Sequence, residues 1–163
     1  TFRRRFGAGI IDSLVFIPIG IIDPYLSSPQ RNSVTLISWA ILNYSIFWIY
    51  SVFLHAKYGQ TLGKMITRVK VLDVSETRVP TIRQALIRDS GYIVMNFLAL
   101  LYFIYLVATR LYFQESQINY TPAIIINIAG MIWFILEIVT MAQNDKRRAF
   151  HDYLAQTVVV KNV

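Results

Sequence analysis

Residues 33–55 read SVTLISWAILNYSIFWIYSVFLH, a run without a single Asp, Glu, Lys or Arg. A hydrocarbon layer about 30 Å thick is crossed by roughly 20 apolar helical residues, so this run is long enough to span it. Three more stretches qualify, from about Ala8 to Leu26, Ser90 to Leu111 and Thr121 to Ala142. Helices are the expected form, because a helix satisfies its own backbone N–H and C=O groups within one segment. Pro18 is expected to kink the first span without ending it, since membrane helices tolerate proline better than soluble ones.

The composition agrees. Of 163 residues, 55% are hydrophobic and only 15% charged, against about a quarter charged in soluble domains. Such a chain cannot cover its surface with polar side chains, so a soluble enzyme is not expected. The sequence has no Cys, which excludes disulfides, thiolate metal sites and Cys nucleophiles. The expected fold is therefore an all-α membrane protein, a four-transmembrane-helix bundle forming one domain over 1–163. A loop at 56–89 and a tail at 143–163 lie outside the spans.

The net charge of +7 is sorted rather than spread. Arg3, Arg4 and Arg5 precede the first span, and Lys57, Lys64, Arg68, Lys70, Arg78, Arg83 and Arg88 occupy the middle loop. Lys146, Arg147, Arg148 and Lys161 lie in the tail, whereas the other two loops hold only Arg31 and Arg110. Positive residues are retained on the cytoplasmic side, so both termini and the middle loop are expected there. The same charges favour a bilayer with anionic head groups as partner. They flank spans and form no single stripe, so nucleic acid is not expected. Arg3, Arg4 and Phe6 form a twin-arginine-like R-R-x-F, but Asp12 interrupts the apolar run and no small-x-small site follows. The segment reads as the flank of an uncleaved helix.

Two segments outside the spans have strand character. Met65 to Val74 (MITRVKVLDV) alternates loosely and is rich in β-branched residues, as is Gln156 to Val163 (QTVVVKNV). They are predicted to pair beneath the bundle, leaning on helix ends or on another protein, because isolated two-stranded pairs are marginal. Between them, Pro80-Thr81 opens TIRQALIRD, predicted as a short amphipathic helix at the membrane surface. Gly59-Gln60-Thr61-Leu62-Gly63-Lys64 is one residue short of a phosphate-binding loop, has Met65 where Ser or Thr would hold magnesium, and follows no strand. Its glycines are expected to break the second helix and turn the chain.

These pieces resemble the RDD family of membrane proteins. The resemblance rests on Arg5-Phe6-Gly7-Ala8 with Ile10-Ile11-Asp12, on GQTLGK at 59–64 with Val69-Lys-Val-Leu-Asp73, and on Arg147, His151-Asp152 and Ala155-Gln-Thr157-Val-Val159. The family usually has Gly where Gln156 stands. The resemblance implies an integral membrane domain with Arg5, Asp12 and Asp152 as hallmark residues. Transport has been suggested for the family, and some members resemble sodium/proton antiporters. Other members look like modules attached to larger membrane assemblies.

An acid inside a membrane is costly and marks a functional hypothesis. Asp12 lies about five residues into the first span and Glu137 about five before the end of the fourth. With Asn96 they are expected to share one layer, above Arg5, Arg88, Arg147, His151 and Asp152. In one reading Asp12 and Glu137 bind a cation or pass protons, tuned by burial and nearby arginines. In the other, an Arg holds Asp12 ionised as a fixed lock between helices, with Asn residues as interhelical glue. Two His and no Cys make a weak metal case, no cofactor is implied, and catalysis is not expected. His151-Asp152 is expected to cap the turn into the last strand, with Asp152 meeting an arginine. The role is read either as transport-related cation/proton exchange or as a non-catalytic assembly subunit. A four-helix protomer has little interior of its own, so a homo-oligomer or other membrane subunits are expected as partners.

Overall fold

The computed structural model describes residues 2–109, 111–114, 117–143 and 148–161. Helices α1 (Phe2–Val15) and α2 (Ile17–Leu26) come first, followed by α3 (Ser33–Tyr58) and the short α4 (Leu62–Ile66). Strand β1 (Val69–Asp73) precedes α5 (Ile82–Ala108) and α6 (Thr121–Ala142); α7 (Phe150–Leu154) and β2 (Thr157–Lys161) close the chain. Helices α3, α5 and α6 are each long and apolar enough to cross a membrane. The pair α1–α2 passes the same test only when taken together, with a 45° bend at the break, which is the geometry of a broken span or of a re-entrant loop.

That bend is the kink expected at Pro18. Proline lacks an N–H and its ring crowds the carbonyl four residues back, here Leu14. The backbone leaves the helix at Phe16, where Phe16 N–H bonds Ser13 O at 3.1 Å and Ile19 N–H bonds Phe16 O at 3.1 Å. Helix α3 is capped by Asn32, whose side chain accepts from Thr35 N–H, and ends at Gly59 in the left-handed conformation, φ +70°. A Cβ at Gly59 would also lie 2.5 Å from Val71 O, so glycine is required there twice over.

Helix α5 differs from expectation. The surface helix and the third span are one unbroken helix, opened by a capping box in which Thr81 and Gln84 bond reciprocally. Nothing separates Asp89 from Ser90 that would break it, and Ala85, Arg88, Asp89 and Gly91 are all buried. The inward stripe therefore runs through the junction. The helix stops at Ala108, with Leu111–Phe113 forming a separate 3-10 turn.

Helix α5 occupies the middle, packed along α3 on one side and α6 on the other, while α1 packs on α4. Outward faces are apolar and open, among them Ile21, Val34, Ile125 and Ile132, which suits acyl chains as solvent. The strands pair antiparallel from Val69↔Lys161 to Asp73↔Thr157, with Val69, Val71 and Val159 as their core. The first strand begins later than expected, because Thr61 caps a helical turn that takes in Met65 and Ile66. The sheet leans on the end of α3: Val71 N–H bonds Gly59 O at 2.7 Å, and the Gln60 amide donates to Val69 O at 2.9 Å.

Candidate functional site

The polar groups gather where side chains of α1, α5 and α6 meet the short helix α7. Asp152, on α7, is fully buried. Its Oδ2 accepts from Arg5 Nη1 at 2.8 Å and from Ala149 N–H at 3.0 Å. Its Oδ1 accepts from Arg88 Nη1 and from Thr157 Oγ1, the latter at 3.1 Å. Four donors thus fill a carboxylate's lone-pair sites. Burial alone would raise this carboxyl, but Arg88, His151 and Arg5 outweigh it and hold it well below the usual carboxylate range. The expected turn-capping role of Asp152 is present, and the arginine it was expected to meet is in fact two.

Asp12 sits in a different setting. Its Oδ1 accepts from Tyr50 Oη and Gly63 N–H, both at 2.8 Å, and its Oδ2 from Thr61 Oγ1 at 2.6 Å. The lock read from sequence paired Asp12 with an arginine. No such pair exists among the described residues, because Arg5 turns to Asp152 and neutral donors from the 59–64 turn reach Asp12 first. Tyr50 Oη also accepts from Leu62 N–H at 2.9 Å, and a Cβ on Gly63 would lie 2.1 Å from Ala8 O. The GQTLGK turn is therefore a backbone clamp: Gly59 turns the chain, Gln60 holds β1, Thr61 and Gly63 grip Asp12, and the missing Gly63 side chain lets α4 touch α1. Lys64 follows, half-buried. Burial, reinforced by Arg88, pulls its ammonium down to about 8 against the attraction of Asp12, Asp89 and Asp152.

Glu137 is the one buried residue of α6. Its Oε1 accepts from Trp133 Nε1 at 2.6 Å and lies 2.7 Å from His151 Nδ1. The other ring nitrogen of His151 is 3.6 Å from Asp152 Oδ1, so the imidazole stands between two buried carboxylates. Trp133 reaches this place because Gly91 has no side chain; a Cβ there would lie 2.3 Å from the indole. Above Trp133 a groove with α5 as floor and α3 and α6 as walls is lined by Tyr44, Tyr92, Asn96, Ala99 and Asn127, about 530 Å³ in volume. A second hollow of about 550 Å³ shares Tyr44, Ala99 and Asn127 and extends to Pro24 and Tyr120. Asn96 lines this groove and bonds its own helix at Tyr92 O, so it joins neither Asp12 nor Glu137. Arg147 lies outside the described residues.

Buried atoms without a hydrogen-bond partner also gather here: Arg5 Nε and Nη2, His55 Nε2, Asp89 Oδ2 and His151 Nε2. His55 and Asp89 are functional candidates that sequence reasoning passed over. His55 follows Ser51 by one turn and bonds its hydroxyl through Nδ1 at 3.1 Å. The signal for Asp89 was its place beside Arg88 on the same stripe as Ala85. At the far end Asp23 accepts from Trp39 Nε1 at 2.8 Å and Asn43 Nδ2 at 2.7 Å, another cluster the sequence did not announce. Among the described residues, no three His, Asp or Glu side chains converge as metal ligands.

Arg5 and Asp12 on one helix, the glycine turn, and Asp152 thus belong to one connected assembly. The model of the RDD family matches residues 1–156. The chain belongs to the RDD family. With its apolar helices this makes it a multi-pass membrane protein. None of the curated proteins and none of the solved structures compared with it matches. The glycine usual in the RDD family at position 156 has a physical reason here: Gln156 adopts φ +52°, which side chains disfavour. The family's Arg and its two Asp are likewise accounted for, as one ion pair and one clamp.

Proposed function

We propose that this RDD protein is a transport-related membrane subunit of the cation/proton-exchange type, with its charged end and both termini in the cytoplasm. The observation that carries the reading is Glu137, a buried carboxylate at the foot of the groove, bonded to Trp133 and His151. Proton exchange needs a titratable group that touches both a path and a proton relay. Glu137 is joined to the groove through Trp133, which lines it and donates to Glu137 Oε1, and His151 Nδ1 at 2.7 Å is the relay partner on its other side. Asp12, saturated by fixed donors, is assigned the clamp and not the proton. Retention of Lys and Arg on the cytoplasmic side supports the orientation.

The test is reconstitution of the full chain in sealed vesicles with a pH dye inside. External sodium should raise lumenal pH with wild type, and Glu137→Gln should abolish the response while the protein remains folded. A silent wild type overturns the reading for the isolated chain.

A second reading, a non-catalytic assembly subunit, is favoured by the saturation of both Asp12 and Asp152, which suits a rigid module. The partner is then a second copy or another membrane subunit. Mass measurement after mild-detergent purification tests it, and a monomer with no co-purifying protein counts against it.

A further inference from the structure

Away from this site, α3 and the start of α5 form an apolar crevice of about 410 Å³. Trp48, Ile49, Val52 and Phe53 fall on one face of α3, and Ile82, the first residue of α5, closes the end. Lys57 is the one charged residue in the lining. Its ammonium lies 5.6 Å from the Phe53 ring centre and 5.1 Å from that of Tyr58, so ring quadrupoles hold it beside the crevice. Arg83, exposed, follows Ile82 directly. Among the described residues neither Lys57 nor Arg83 has an acidic partner, although the Asp73–Arg78 and Arg5–Asp152 pairs show that other cations of this chain do find carboxylates.

We propose that this crevice is a binding site for an anionic glycerophospholipid. One acyl chain lies along Trp48, Ile49, Val52 and Phe53, and the phosphate-bearing head group rests against Lys57 and Arg83. Charge complementarity selects the occupant. A helix of a second copy would fill the apolar trough and leave both cations unmatched, and a zwitterionic lipid would bring beside its phosphate a choline cation that the two side chains repel, so a head group of net negative charge is the better match. Two cations near the membrane surface correspond to a preference on the order of tenfold for the anionic lipid. The site stands independently of any transport activity.

Trp48 is the built-in reporter. The full chain is placed in phosphatidylcholine vesicles containing increasing fractions of brominated phosphatidylglycerol or, separately, brominated phosphatidylcholine. The quenching due to Trp48 is the part lost in Trp48→Phe. It should saturate at about a tenfold lower fraction of the brominated anionic lipid. Lys57→Gln with Arg83→Gln, both at exposed positions, should remove the preference and leave quenching itself intact. Equal quenching by the two lipids means ordinary boundary lipid and overturns the proposal. So does the absence of quenching by either lipid, which would mean that protein covers the crevice.

Discussion

Arg5 and Asp152 stand 147 residues apart in sequence and meet at 2.8 Å, closing the first helix onto the short helix α7. Arg88 from α5 bonds the other oxygen of the same carboxylate. Three segments that no local interaction would bring together are thereby tied at one buried point.

Removing that carboxylate leaves two guanidinium groups without their counter-charge. Asp152→Asn should destabilise the protein by about 3–5 kcal/mol, read as a fall in unfolding temperature in detergent. A double-mutant cycle with Arg5→Met should return a coupling of about 0.5–3 kcal/mol. Because the folded carboxyl is held below its unfolded value, its contribution is complete above about pH 4 and fades as acid lowers the pH through the folded pKa. Asp152→Asn should flatten that acid limb.

Lys64 is also shifted down, but here the charged form is the one disfavoured by the fold. Its ammonium is brought down to about 8 from 10.5, so between those values the unfolded chain binds more protons and stability rises with pH. Below about 8 the charged lysine is a cost. Lys64→Met should stabilise the protein at pH 7 by on the order of 1 kcal/mol, allowing for its partial exposure, and should remove the alkaline rise in an unfolding series from pH 7 to 10.

For Asp12 the clamp makes a graded expectation. Asp12→Asn keeps an oxygen for Tyr50 and Gly63, and the Thr61 hydroxyl can turn to accept, so the loss should be about 1–2 kcal/mol. Asp12→Ala strands all three donors and should cost more. Gly63→Ala, which drives a methyl into Ala8 O, should cost about 1–3 kcal/mol. A proton-carrying Asp12 would instead show Asp12→Asn stable and without exchange, the outcome that refutes the clamp.

Gln156 offers a gain. Its side chain is exposed and its φ is +52°, while its carbonyl, which accepts from Val74 N–H at 2.9 Å, would survive substitution. Gln156→Gly should raise stability by up to about 1 kcal/mol, as relief of left-handed strain exceeds the added chain entropy. Unfolding temperature is the readout.

Much of the candidate site was visible as a list and not as a set of pairs. Arg5, Asp12, Arg88, Glu137, His151 and Asp152 are all candidates from the sequence alone. Arg5 and Asp12 share a helix face, but about 10 Å of axial rise separates their backbones, so the sequence leaves open which arginine meets Asp12. The fold meets Asp12 with Thr61 and Gly63 instead, which come from a turn that fits against α1 only when glycine stands at 63. Depth alone places Asn96 in the acidic layer; which way it faces depends on how α5 is rotated, and its side chain lies in the groove.

From composition and pattern alone came the apolar spans, the bend at Pro18 and the pairing of two β-branched segments. These follow from hydrophobic length, a missing N–H and local backbone preference, all carried by neighbouring residues. Only the tertiary structure decided that α5 runs unbroken, that Asp12 is held by Tyr50, Thr61 and Gly63, and that His151 bridges Glu137 and Asp152. Where water is excluded most buried donors must find an acceptor, and here the acceptors lie 49, 64 or 147 residues away. Which donor reaches which carboxylate is then settled by how the helices pack and not by what each segment prefers.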